Sequence, residues 1–482
     1  TGGIFNIDGG SYWKIDGRDG GTGSNKNFTI ENTSVTAGSP GIFLRNGAQY
    51  NTITYCNIKS ANTSTSSSGT VAFSTSTALV GNSYNTVSYC NVSDASTGSS
   101  AACITSNPTG TSLLDARFNS FNTITNNNIF NFYSAISGSY FGAGVLLTNV
   151  YNSDWTITNN SFYQTATRSV GATGADMYGI YINGTAGGNF TISNNYIGGT
   201  SASCGGTPLT VSTTATNTFR GMYLSIGSSS PSTISNNTIT NISFSSATYS
   251  STPAGISMLN GAATISGNTI GATTGTGAIS FSTSASGAYF AGILLGTGTT
   301  DHGGLITVQN NNIGSITVGG AGTIVFSGIR FESAQSASLP DLSTTKYVIS
   351  GNTIGSTTTA NSISNGTNAA TYGIYKLSTN TTLVDEITNN TVANITVSNA
   401  TATSNVVYGI FTTATASKSS ITTNTVYNLS SNYVTALTFS GIGIYSPTTA
   451  GGNLISGNTI YSISNTTSTN ASVVAGVLLS GS

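Results

Sequence analysis

Acidic and basic side chains are scarce enough here to be taken one by one: 12 Lys and Arg, 13 Asp and Glu and one His in 482 residues. Two facing carboxylates could supply the acid and base of glycoside cleavage, and a denser cluster could hold calcium. In a repeating chain either chemistry needs acids at equivalent positions of successive repeats. Asp154, Asp176, Asp301, Asp341 and Asp385 stand at unmatched positions, and the neighbours Asp385 and Glu386 should point to opposite faces of a strand. Arg330 and Glu332 share a face and read as a surface ion pair. The only histidine, His302, lies in Asp301-His302-Gly303-Gly304, a turn composition expected in a solvated loop. No catalytic residue is assigned. Near the N-terminus, Asp8, Lys14, Asp16, Arg18, Asp19, Lys26 and Glu31 crowd together. A calcium site on Asp16 and Asp19 is conceivable, but the mixed signs favour a solvated cap or first coil, and no metal ligand is assigned.

The elements that must position these residues are written as a repeat. A hexapeptide close to Ile-Ser-Asn-Asn-Thr-Ile begins at Ile53, Val87, Ile124, Ile157, Ile192, Ile234, Ile265, Val308, Ile349, Ile387, Ile421 and Ile455, at intervals of 31 to 43 residues. Such a period means stacked structural units. Upstream of each hexapeptide stands a Gly with an apolar pair, as in Gly41-Ile42-Phe43-Leu44, Tyr178-Gly179-Ile180-Tyr181 and Tyr408-Gly409-Ile410-Phe411. A third apolar stretch often follows, as in Asn394-Ile395-Thr396-Val397. Three short strands per repeat, separated by turn residues and free of helical periodicity, predict an all-β, right-handed parallel β-helix of about 13 coils.

The first and last apolar positions of the hexapeptide are an odd interval apart, so both face inward only if the chain bends between them. The polar middle is therefore a corner. Its fourth position is Asn127, Asn160, Asn195, Asn237, Asn268, Asn311, Asn352, Asn390, Asn424 and Asn458, with Cys56 and Cys90 in the first two copies. These Asn are expected to take the left-handed conformation of the corner and to bond coil to coil as a ladder. Stacked Cys56 and Cys90 lie within reach of a disulfide, although parallel neighbours aim their Cβ atoms poorly, and buried free thiols are the competing expectation. Cys103 and Cys204 are expected to stay unpaired. Two residues after the repeat glycine, and so facing outward, stand Tyr181 and Tyr223, then Tyr375, Phe411 and Tyr445. Stacked outward aromatics could form a platform for sugar rings or a partner protein, or a ladder that only packs.

Composition limits the rest. Hydrophobic residues make up 37% and recur regularly, so the chain folds rather than staying disordered. A net charge of −1 speaks against nucleic acid, and no apolar run is long enough to span a membrane. Residues 1–35 read as an N-terminal cap or first coil and 36–482 as β-helix repeats. The last glycine element, Ala475-Gly476-Val477-Leu478, has no hexapeptide after it, which suggests that the natural protein continues.

Four stretches carry a resemblance: Ile15-Asp-Gly-Arg-Asp-Gly-Gly, Phe28-Thr-Ile-Glu-Asn-Thr, Tyr50-Asn-Thr-Ile-Thr-Tyr-Cys-Asn-Ile and Gly81-Asn-Ser-Tyr-Asn-Thr-Val-Ser-Tyr-Cys-Asn-Val. They resemble the opening of large secreted proteins of Bacteroidota, whose repeats are similar to the pectate-lyase-like right-handed β-helix superfamily and which commonly end in a type IX secretion sorting domain. The match covers about the first 95 residues. It implies export to the cell surface or medium, through a C-terminal domain absent from this chain, and it implies no activity. The leading expectation is a non-catalytic extracellular structural or adhesive module whose partners are polysaccharides or cell-surface proteins, with no cofactor beyond a conceivable calcium. The alternative is a polysaccharide lyase or glycoside hydrolase, which rests on fold analogy alone. A phage fibre and an ice-binding helix follow further back, the latter because uneven coil lengths argue against a flat face.

Overall fold

The computed structural model describes residues 2–64, 68–74, 80–108, 117–134, 140–170, 174–296, 302–332, 345–377, 382–399, 405–413, 417–432, 439–447, 451–466 and 472–480, the side chains of 140 and 141 excepted. The protein is an all-β, right-handed parallel β-helix of about 12 turns, close to the coil count read from the sequence. The helical turns among the described residues are two three-residue 3₁₀ turns, Asp19–Gly21 and Ala202–Cys204.

One turn shows the plan. Ile42–Arg45 belongs to a sheet built from the glycine elements, Thr52–Thr54 to a sheet built from the first half of the hexapeptide, and Cys56–Ser60 to a third sheet after the corner. Each strand pairs in register with its equivalent in the next turn, as in Ile42 with Val71, Ile53 with Val87 and Ile58 with Val92.

The chain divides into two compact units, residues 1–238 and 239–482. In the first, Phe5–Asp8, Lys14–Asp16 and Phe28–Asn32 add one strand to each sheet, so the charged N-terminal segment forms a coil. The hexapeptide sheet continues in register through Ile53, Val87, Ile124, Ile157, Ile192 and Ile234, all fully buried. In the second unit Ile265, Val308, Ile349, Ile387 and Ile421 make the same inward file. The repeat glycine is required by close approach. A Cβ on Gly373 would lie 2.6 Å from the Gly409 carbonyl oxygen and 2.4 Å from Val392.

The corner differs from expectation in one respect. The left-handed residue is the third of the hexapeptide, not the fourth: Tyr55, Tyr89, Asn126, Asn159, Asn194, Asn236, Gly267, Asn310, Gly351, Asn389, Thr423 and Gly457 all have φ between 53° and 67°. Bending one residue earlier turns the fourth side chain into the core, where its amide replaces the hydrogen bonds a bent backbone cannot make. The ladder itself is present. Asn160 Oδ1 accepts from both the backbone N–H and the side-chain amide of Asn127, at 3.0 Å each, while Asn160 Nδ2 donates to Asn195 Oδ1 and to the Ile124 carbonyl. The pattern runs through Asn195 and Asn237 in the first unit and from Asn268 through Asn311, Asn352, Asn390 and Asn424 to Asn458 in the second. Cys90 N–H donates to Asn127 Oδ1 at 2.8 Å and Cys56 N–H to Cys90 Sγ at 3.4 Å, so the two cysteines do stand in this file.

Candidate ligand-contact surfaces

The outward aromatic residues lie on the glycine sheet. In the first unit Tyr181 and Tyr223 pair in register and stack 4.5 Å apart, with Tyr178 edge-on to both. Tyr178 is buried with Leu146 and Ala143, and its hydroxyl donates to Asp176. In the second unit Tyr375, Phe411 and Tyr445 follow one another in register. Phe411 stacks on Tyr445 at 4.7 Å, and Tyr375 meets Phe411 edge-on at 5.4 Å. A second file, Tyr372 and Tyr408, stacks beside them at 5.0 Å. All five rings are half-buried. Burial raises the phenols of Tyr372 and Tyr375 and pushes that of Tyr408 up to about 12. A cavity of about 420 Å³ opens among Tyr408, Phe411, Ile442, Tyr445 and Leu478. Its apolar walls and phenol rim suit one face of a sugar ring or an apolar side chain. Arg330 continues the file beside Tyr375, its guanidinium over the Tyr289 ring at 4.3 Å and paired with Glu332.

Most of the described charged residues of the second unit gather at one bend, where the glycine sheet passes to the hexapeptide sheet. Lys376 and Asp385 are fully buried and paired at 2.9 Å. Lys376 Nζ also donates to the Lys418 carbonyl and to Ser419 Oγ, while Asp385 Oδ1 accepts the backbone N–H of Tyr347. Desolvation lowers the Lys376 ammonium, against the opposing pull of Asp385. Glu386 points the other way, as expected, and pairs with Lys346. Tyr347 donates its hydroxyl to the Glu332 carbonyl oxygen. His302 corrects the solvated-loop expectation: it is 1% exposed, with its ring edge-on to Tyr347. Its turn composition concealed that His302 itself packs against Tyr347. Asp301 and Asp341 lie outside the described residues.

In the first coil, Asp16 is held by Arg18 at 2.7 Å and Lys14 at 3.0 Å, and the Arg18 hydrogen bond above all keeps its carboxyl well below the usual range. Asp154 accepts from Asn189, and Asp176 from the backbone N–H of Thr218. Among the described residues no group of three or more His, Cys, Asp or Glu is placed to hold a metal ion. Cys56, Cys90, Cys103 and Cys204 are buried free thiols, which decides between the two expectations for Cys56 and Cys90. Each of that pair donates to a carbonyl of its own coil, Thr54 and Ser88, and the two thiols also lie within hydrogen-bonding reach of one another.

A further aromatic surface was not anticipated. Three residues ahead of the hexapeptide the first unit bends a second time, with Tyr12, Tyr50, Tyr84 and Phe121 at φ between 56° and 64°. Their rings stack at 5.0, 4.8 and 4.9 Å, within 8° of parallel. They are 77%, 42%, 42% and 48% exposed, and Trp13 beside them is 65% exposed. Across the Thr52–Thr54 strand, Tyr55 and Tyr89 form a second stack at 4.8 Å, with Arg18 over the Tyr55 ring at 4.3 Å. A left-handed conformation costs a bulky L-residue about 1–2 kcal/mol. The signal was available in the sequence, since each of these aromatics keeps a fixed offset from its hexapeptide.

Fold and surfaces together define a parallel β-solenoid that stacks its core on side-chain ladders and carries aromatic files outside. Compared with protein-family models and with curated proteins, the chain matches none.

Proposed function

We propose that this chain is a non-catalytic extracellular module, structural or adhesive, of a large exported cell-surface protein. Polysaccharide or a cell-surface protein would dock on the file of Tyr375, Phe411 and Tyr445, with Tyr181 and Tyr223 as its counterpart. The observation that carries this reading is the use of polar groups. The ladder amides each bond two neighbouring coils, and Asp16, Asp176, Glu332, Asp385 and Glu386 are each neutralised or hydrogen-bonded within the fold. Polar groups committed to stacking coils make a rigid scaffold rather than a reactive cleft. Export and type IX sorting rest on the resemblance of the first 95 residues.

The test is retention of the chain on immobilised polysaccharides before and after Tyr375→Ala and Tyr445→Ala. Weaker retention with unchanged melting supports the reading. Equal retention by native and variant chains removes the file from it.

A second reading, a polysaccharide lyase or glycoside hydrolase, draws on one observation. Arg330, Glu332, Lys346, Lys376, Asp385 and Glu386 converge on one bend in successive turns. Release of oligosaccharide that is abolished by Glu386→Gln would carry it.

A further inference from the structure

The bends that flank the hexapeptide sheet are filled differently along the chain. At the later bend, the left-handed residue is Asn126, Asn159, Asn194, Asn236, Asn310 or Asn389, or Gly267, Gly351 or Gly457, which tolerate that conformation. In two early coils it is Tyr55 and Tyr89. At the earlier bend it is Tyr12, Tyr50, Tyr84 and Phe121, then Asp154 and Asn189. Among the described residues, bulky aromatics thus occupy these two bends in the first coils, whereas the later coils use Asn, Asp or Gly there, with Thr423 the exception. Strain retained on exposed side chains marks a site held for something other than stability.

The surroundings specify the ligand. Between the two ring stacks hydroxyl residues stand in register: part-exposed Thr52, Thr86 and Thr123 along one edge, and Thr54, Ser88 and Thr125 along the other, where Thr54 and Ser88 are 5% and 7% exposed. Ser88 Oγ donates to Thr54 Oγ1 at 3.0 Å, tying the second row together. The phenol hydroxyls of Tyr12, Tyr50, Tyr84, Tyr55 and Tyr89 have no hydrogen-bond partner among the described residues and remain available to a ligand. From the second coil to the fourth this floor carries no charge; in the first, Lys14 and Arg18 share the one carboxylate of Asp16 and leave a net positive charge. Because the stacked rings cover one another's faces, the inner rings present edges and hydroxyls to a ligand along the stack.

We infer that this trough, walled by Tyr12, Tyr50, Tyr84 and Phe121 on one side and Tyr55 and Tyr89 on the other, binds a neutral polysaccharide along the direction in which the coils stack. A neutral, hydroxyl-rich chain matches the uncharged floor and rows of phenols from the second coil to the fourth, whereas an acidic polymer would be drawn to the excess positive charge at the first coil, where Lys14 and Arg18 share Asp16. The inference deepens the adhesive reading and rests on it, but it uses a different sheet from the Tyr375 file.

The experiment is affinity electrophoresis of the whole chain in gels containing xylan, hydroxyethyl cellulose, laminarin, polygalacturonate or alginate. It compares native protein with Tyr50→Asn/Tyr84→Asn and with Tyr375→Ala/Tyr445→Ala. Asparagine suits the left-handed corner, so the first variant should melt at the same temperature or higher while binding a neutral polymer about ten-fold more weakly, a change well above scatter. Lower melting with unchanged binding would show that the rings serve packing and would overturn the inference. Binding lost only in the Tyr375 and Tyr445 variant would overturn it too, yet leave the adhesive reading standing. Binding to the acidic polymers alone would refute the ligand class, and binding to none would remove both readings of the surface as a sugar contact.

Discussion

The bend that leads into the hexapeptide sheet is built in two ways. Around residues 50–122 a left-handed aromatic precedes an inward Asn: Tyr50 with Asn51, Tyr84 with Asn85, Phe121 with Asn122. Those three Asn form a ladder of their own, Asn51 donating to Asn85 Oδ1 at 2.9 Å and Asn85 to Asn122 Oδ1 at 3.2 Å, and the strands begin only at Thr52, Thr86 and Thr123. Around residues 346–419 the strands begin earlier, at Lys346, Val384 and Lys418, and the inward residues are Tyr347, Asp385 and Ser419. An amide both donates and accepts, so it repeats indefinitely. An ionised carboxylate only accepts, so Asp385 needs a cation, and Lys376 replaces an apolar residue in the core to provide it: its register partner is Phe331. A neutral ladder repeats freely, whereas a buried charge must bring its own partner.

The most severe way to break either bend is to add a charge with no partner. Ile387→Asp places one in the fully buried inward file and should cost several kcal/mol, read as lost protease resistance of the surrounding turns. Unchanged resistance would mean that the register is wrong. Lys376→Met should cost about 3–5 kcal/mol, because it strands Asp385 in the core, and the double change Lys376→Met/Asp385→Leu should recover most of that loss in a denaturant melt. A double variant no better than the single would show that the ion pair is not what closes this bend. In the other region Asn85→Ala leaves the amide and backbone donors of Asn51 unmatched, for a loss of about 1–3 kcal/mol.

Alkali should act through buried phenols. Tyr178, Tyr372 and Tyr408 are raised above their ordinary 10.0 chiefly by burial. A raised folded value gives stability that is complete below pH 10 and lost as pH rises through the folded values, with Tyr408 at about 12. Melting temperature should fall from about pH 10 upward, and a flat profile would mean those rings are wet. The smallest effect is a gain: Thr423→Asn relieves a β-branched residue at φ 56° and should add about 1 kcal/mol.

The fold was legible because the hexapeptide carries both its apolar period and its corner. The Asn file was legible as well, since only a stacked position would hold one residue type through ten coils. The position of the bend was not, because Asn stands at the third and fourth places of many copies and composition does not tell which one turns. His302 was misjudged from glycine neighbours that describe the backbone and say nothing of burial. The exposed Tyr50 and Tyr84 stack was passed over because an aromatic is the least expected residue at a left-handed corner. Their spacing marked them, but residue preference argued the other way.

The most direct test of the central claim, that this polar inventory builds a scaffold, is to incubate the purified chain with acidic and neutral polysaccharides, with and without calcium. Bound polymer and released oligosaccharide would be measured together. The account predicts binding without release, unchanged by calcium. Release of oligosaccharide would contradict it and would move the chemistry to the charged bend around Lys376, Asp385 and Glu386.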